Sequence, residues 1–204
     1  KTTITRLLFR LYEISGGALK LNGIPIHQIP IAELQHHVGM VTQDVQLFRA
    51  TVRDNLTFFD LSISDQRIMQ VIEELELMGW YNTLSNGLDT ELESGGKGLS
   101  AGEGQLLAFT RVFLKNPGLV ILDEASSRLD PATEQRIERA VDKLLKNRTG
   151  IIVAHRLKTV ERADQIIILE EGGIGEYGLY ADLANDPNSR FAQLLRTGIE
   201  EVLA

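Results

Sequence analysis

Three apolar runs stand out in the second half of the chain: residues 119–122, 151–154 and 166–169. Each is short, rich in β-branched residues and free of polar alternation. That pattern predicts strands buried on both faces of a parallel sheet. Between the first two runs, Ile137, Ala140, Val141, Leu144 and Leu145 fall at helical spacing on one face. Asp130 as N-cap and Pro131 at the first helical position mark where that helix begins. A shorter helix is expected over 157–163. Strand, helix, strand, helix, strand indicates an α/β fold with right-handed crossovers.

The middle of the chain follows a different period. Residues 64–115 show no strand pattern. Ile68, Val71, Ile72 and Leu75 form one helical stripe, and Leu106, Phe109, Phe113 and Leu114 another. Gly95, Gly96, Lys97 and Gly98 lie between them. This reads as a helical insertion in the α/β domain. At the N-terminal end a helix is expected over 2–11, then strands over 18–21 and Val38–Val41. A turn at Asn22-Gly23 follows the first strand, whose partner is expected outside the chain. Residues 180–204 suggest two short helices. No internal repeat or low-complexity segment is present.

Composition narrows the class. The chain has 204 residues, 43% hydrophobic and 24% charged, enough for a real core and unlike a disordered or fibrous protein. Its net charge of −7 argues against wholesale nucleic-acid binding. With no cysteine, a disulfide framework, a thiolate zinc site and a cysteine nucleophile are excluded. No signal peptide is visible, and the apolar runs fall far short of the roughly 18 residues needed to cross a bilayer. Position 1 is Lys1 rather than methionine, so the chain is read as mature, processed or cut from something longer.

Several residues have the chemistry of a phosphate site. Asp123 and Glu124 follow the run at 119–122, at the carboxyl end of a predicted parallel strand, where open α/β sheets bind ligands. Such acids can hold Mg²⁺ and orient a water; equally, they can be solvated loop residues. His155 ends the next run and is either a structural hydrogen-bonder or part of the same edge. Lys1-Thr2-Thr3 precedes a helix and matches the close of the loop Gly-x-x-x-x-Gly-Lys-Thr, whose glycines this chain lacks. Ser100 and Glu103 have the S-x-x-E spacing of a capping box, and a capped helix start also attracts anions. Gln43 follows the strand at Val38–Val41 and gains interest if that strand ends at the acid-bearing edge.

In this order and spacing the motifs resemble the nucleotide-binding domain of ABC transporters, of the exporter type, from Lys1 to at least Gly178. Lys1-Thr2-Thr3 resembles the end of Walker A, and Gln43 the Q-loop. Residues 99–103 (Leu-Ser-Ala-Gly-Glu) stand at the signature, usually Leu-Ser-Gly-Gly-Gln. Residues 119–124 resemble Walker B with the catalytic glutamate, 126–130 the D-loop, and His155 the switch histidine. The resemblance implies a P-loop NTPase fold: an ATP-binding core over 1–63 and 116–178, a helical signature subdomain over 64–115 and a helical tail over 179–204. It implies ATP and Mg²⁺, with Lys1, Thr2 and Thr3 at the phosphates and Thr2, Gln43 and Asp123 toward the metal. Glu124 would be the general base, with Gln43 and His155 also catalytic. Two such domains pair head to tail in the family, so Ser100, Gly102 and Glu103 would face the partner's ATP and Asp130 the dimer interface. The transmembrane domain would be fused upstream, and the chain would work at the cytoplasmic face of a membrane.

Three departures accompany the resemblance. Ala101 and Glu103 replace the usual glycine and glutamine, which questions the strength of the partner's site. The segment before the signature reads Thr90-Glu91-Leu92-Glu93-Ser94-Gly95-Gly96 and lacks the usual Glu-Arg pair that accompanies membrane-domain contact. The Walker A glycines and the adenine-stacking aromatic lie upstream of Lys1. The leading expectation is an ATPase that powers export. The alternatives are a soluble ABC-class ATPase and a non-hydrolysing regulatory half of a heterodimer.

Overall fold

The chain mixes strands and helices, and the computed structural model describes residues 1–42, 44–93, 95, 99–123, 130–154 and 157–197. The elements run α1 (Thr2–Leu8), β1 (Lys20–Leu21), β2 (Ile24–Pro25), α2 (Ile31–His37), β3 (Val38–Val41), β4 (Ala50–Thr51) and α3 (Val52–Thr57). Then come α4 (Asp65–Glu74), α5 (Met78–Tyr81), β5 (Glu91–Leu92), α6 (Ala101–Lys115), β6 (Leu119–Asp123), α7 (Pro131–Leu145) and β7 (Thr149–Val153). Last are α8 (Leu157–Val160), β8 (Gln165–Glu170), β9 (Gly173–Leu179), α9 (Tyr180–Asn185) and α10 (Arg190–Thr197). Two compact units divide the chain: Thr5–Ile151, and Lys1–Ile4 with Ile152–Ala204.

In the larger unit the sheet order is β3-β6-β7. β3 and β6 are parallel and in register from Val38 opposite Leu119 to Val41 opposite Leu122. The Thr149 N–H donates to the Gly118 carbonyl at 3.1 Å, so β7 starts beside the start of β6. Val120, Ile121 and Val41 are fully or almost fully buried, as expected for strands covered on both faces. Each such side chain contributes about 1.5–3 kcal/mol through burial. Residues 151–153 of β7 are only half-buried, less than its apolar sequence predicts. One core cluster joins Leu8 of α1, Leu34 of α2, Val38, Leu119 and Ile121.

Helix α6 is buried almost all round, not along a stripe: Gly102, Gln105, Leu107 and Thr110 are covered along with the predicted Leu106, Phe109 and Phe113. The reason is its neighbours, since it packs on α3, α4, α7 and β3. A Cβ at Gly39 in β3 would lie 2.6 Å from Pro117 Cγ and 2.7 Å from Val112 Cγ1. Glycine therefore lets the strand approach the end of α6. The segment expected to lack strands contains one short strand, β5, which pairs antiparallel with β4 ahead of the segment.

Two further expectations are corrected. β1 has a partner within the chain: β2 follows at once and pairs antiparallel with it. Asn22 (φ 49°) and Gly23 (φ 81°) supply the two positive φ values of a type I′ hairpin turn. The run at 166–169 was expected as a third parallel strand. Instead β8 pairs antiparallel with β9. Glu171 (φ 48°) and Gly172 (φ 82°) make the same type of turn and send the chain straight back. Ile167 is 57% exposed, so this strand is not covered on both faces.

In the smaller unit Val160, Ile166 and Phe191 form the core, with Tyr180, Leu183 and Leu194 packed on it. Glu176 of β9 accepts from the Phe191 N–H at 2.8 Å and the Arg190 N–H at 3.1 Å. A carboxylate at the start of α10 satisfies amides outside the helix ladder. The two predicted tail helices are α9 and α10. Residues 198–204 lie outside the described residues.

Candidate functional site

Because β3 and β6 are parallel and in register, their carboxyl ends meet at one edge. Asp123, the last residue of β6, is half-exposed there. Thr42 follows Val41 at the same edge, and its hydroxyl donates to the Asp44 carbonyl at 2.9 Å. The condition placed on Gln43 is therefore met by its strand, although Gln43 itself lies outside the described residues. So do Glu124, residues 125–129 and His155.

The segment after Thr42 is held from α6. The Gln105 Nε2 donates to the Thr42 carbonyl at 3.3 Å. Arg111, two turns on, donates to the Gln46 carbonyl at 2.9 Å and the Asn55 carbonyl at 2.7 Å. Its guanidinium lies 4.5 Å from the centre of the Phe58 ring, within cation–π range. Burial pushes Arg111 down to about 10, so it is still charged at neutral pH. Asn55 is fully buried and clamps the same segment: it accepts from the Phe48 N–H at 2.8 Å and donates to the Phe48 carbonyl at 3.0 Å. Sequence reading missed Gln105, Arg111 and Asn55. Their only signal was polar residues placed on otherwise apolar helix faces.

At the start of α6 the capping box forms. The Glu103 N–H donates to Ser100 Oγ at 3.2 Å, and Glu103 Oε2 accepts from the Ser100 N–H at 2.7 Å. The Glu103 carboxylate is thus turned back onto its own helix start. Ser100 and Ala101 are exposed, while Gly102 is buried against Thr133 of α7. Asp130 caps α7 by accepting from the Thr133 N–H at 3.0 Å. Hydrogen bonds from the Thr133 side chain and backbone hold the Asp130 carboxyl below its usual value.

In the smaller unit, Lys1, Thr2 and Thr3 are exposed at the start of α1. The Lys1 carbonyl accepts from the Ile4 N–H at 2.9 Å, and α1 begins at Thr2 as the sequence predicts. Among the described residues, no helix is long and apolar enough to cross a membrane.

A parallel sheet with an acid at its carboxyl edge and covering helices is the core of the α/β P-loop NTPases. The family described as ABC transporter matches residues 1–127. The ATP-dependent lipid A-core flippase of Chromobacterium violaceum is 40% identical over 183 residues, 90% of this chain and 31% of that protein. The mitochondrial iron-sulfur clusters transporter ATM1 of Debaryomyces hansenii is 37% identical over 196 residues, 95% of this chain and 28% of that protein. Among solved structures, a bacterial Atm1-family ABC exporter with ATP bound aligns with a TM-score of 0.86 and 32% identity. That alignment covers 97% of this chain and 34% of the exporter chain. The chain belongs to the ABC transporter family, and it spans about a third of the length of these relatives.

Proposed function

We propose that the chain is the ATP-hydrolysing nucleotide-binding domain of an ABC exporter, working as a head-to-tail dimer with a second such domain. The observation that carries this reading is the shared edge: β3 and β6 end together, so Asp123 and the segment entering Gln43 leave the sheet at one place. Relatives named as a flippase, an iron-sulfur clusters transporter and an exporter support export. On this reading a transmembrane domain is fused upstream and the assembly works at the cytoplasmic face of a membrane. Residues 1–63 and 116–178 form the ATP-binding core, 64–115 carry the signature, and 179–204 form a tail.

The residues present fit the substrate and its metal. In the larger unit Asp123 offers a half-exposed carboxylate, the hard oxygen donor that Mg²⁺ takes beside substrate phosphates; on the family pattern Thr2 would be a further oxygen ligand. When bound, the metal neutralises charge on the β- and γ-phosphates. The Lys1 ammonium is a point charge for those phosphates, with Thr3 contacting a phosphate beside it. Gln43 would be a further ligand to the metal and would orient the water. Glu124 accepts the proton of that water as it attacks, and His155 donates to the γ-phosphate. The capped start of α6, with Ser100 and Gly102, offers backbone amides to the partner's ATP. Asp130 lies at the dimer interface. Closure on ATP and release after hydrolysis are then a ligand-driven population shift.

The test is Glu124→Gln in the full-length protein. Steady-state hydrolysis is expected to be lost while ATP binding is kept. Unchanged turnover would refute the assignment of the base.

A further inference from the structure

The first turns of α6 and α7 meet at one tight contact. Gly102 is the second residue of α6 and Thr133 the third of α7. A Cβ on Gly102 would overlap Thr133 Cγ2 and lie 3.2 Å from Thr133 Cβ and 3.4 Å from Thr133 Oγ1. Gly102 is not among the glycines with positive φ, so its backbone does not demand glycine. Alanine is otherwise the better helix former. The close approach of α7 is what excludes it.

Thr133 is itself held in place. Its N–H donates to Asp130 Oδ1 at 3.0 Å, and its side chain also hydrogen-bonds the Asp130 carboxylate. A β-branched side chain has few rotamers in a helix. With the hydroxyl engaged by Asp130, the methyl is left to face Gly102. Two contacts within one chain therefore link Asp130 to the turn that carries Ser100.

We propose that Thr133 is a positioning residue: its methyl, aimed by Asp130, sets where the Ser100–Glu103 turn stands. This rests on the reading above, in which that turn serves the partner's ATP. Gly102 is then required by α7 as well as by the nucleotide. A displacement of the α7 start, a few residues beyond Asp123 and Glu124 in sequence, is carried directly to the α6 turn.

The contact can be tested by exchanging volume across it. The variants are Gly102→Ala, Thr133→Ser and the two combined, in the full-length protein. The methyl added at 102 takes the space of the methyl removed at 133. Two readouts are followed: amide hydrogen exchange over residues 99–104, and KM and kcat for ATP. Overpacking by Gly102→Ala is expected to speed exchange about tenfold or more and to raise KM by a similar factor. Thr133→Ser is expected to change either by no more than about threefold. The combined variant should return exchange to within about twofold of the unmodified protein and bring KM at least about threefold below that of Gly102→Ala alone. If it exchanges as fast as Gly102→Ala alone, the contact is refuted. If exchange recovers but KM stays at the Gly102→Ala value, the positioning role is refuted, because the nucleotide alone then requires glycine. Should the unmodified protein fail to bind ATP, the underlying reading falls, and recovery of exchange alone then decides the contact.

Discussion

The edge where β3 and β6 end and the turn where α6 begins are built by different means. The edge is set by a parallel ladder from Val38 opposite Leu119 to Val41 opposite Leu122, under near-complete burial. What leaves it is a side chain with chemistry of its own, Asp123. The turn is set by short-range bonds between Ser100 and Glu103 and by the fit of Gly102 under Thr133. What it presents is a helix start, whose first amides lie outside the helix ladder. Side-chain identity matters most at the edge, and backbone shape at the turn. The same contrast accounts for Glu103. Its carboxylate closes the capping box, so its charge is engaged by its own helix start.

The contrast can be broken from either side. The largest stability effect is expected in the ladder that sets the edge, from Gly39→Ala at the second position of β3. The added methyl would meet Pro117 and Val112 at 2.6 and 2.7 Å, and such overpacking costs about 1–3 kcal/mol. Urea unfolding should show a lower midpoint with an unchanged slope. A smaller effect is expected at the turn. Ser100→Ala removes the acceptor for the Glu103 N–H, a cap worth about 1 kcal/mol, while Ser100→Thr should retain most of it. If Ser100→Ala proves as costly as Gly39→Ala, the two regions are not built as described.

The smallest effect concerns acid. The Asp130 carboxyl is lowered from 3.8 by its bonds from Thr133. A carboxyl lower in the folded than in the unfolded chain adds stability above its unfolded value, and that stability is lost as pH falls through the folded one. Asp65, lowered by Arg53, and Asp60, lowered by Ser62, share the same direction. Unfolding midpoints should therefore drop as pH falls below about 5. Asp130→Asn should keep the cap, since asparagine is a good N-cap, but reduce that drop. An identical drop in both proteins would count against the Asp130–Thr133 bond.

Local signals made much of this legible. β6 was readable from its unbroken apolar run, α7 from Asp130-Pro131, and the capping box from the spacing of Ser100 and Glu103. Longer-range pairing was not. The runs at 119–122 and 166–169 look alike, yet one is central in a parallel sheet and the other is half of a hairpin. Only the Glu171-Gly172 turn distinguishes them. The ladder of β4 and β5 has two residues on each strand, too few to show a period. The bond from Gln105 to Thr42 spans 63 positions, and the contact of Gly102 with Thr133 likewise joins separate helices. At the candidate site, Asp123 was visible as an acid closing a buried strand. The roles given to Gln43 and His155 came from family resemblance, because neither has a local pattern of its own, and Lys1-Thr2-Thr3 offered only the close of a phosphate loop.

The central claim is that the β3–β6 edge carries the chemistry. It is tested most directly by measuring ATP hydrolysis of the full-length protein with and without Asp123→Asn, at matched ATP occupancy and matched unfolding midpoint. The account predicts a fall on the order of a hundredfold in turnover, with the protein still folded. Hydrolysis at the unmodified rate would contradict it.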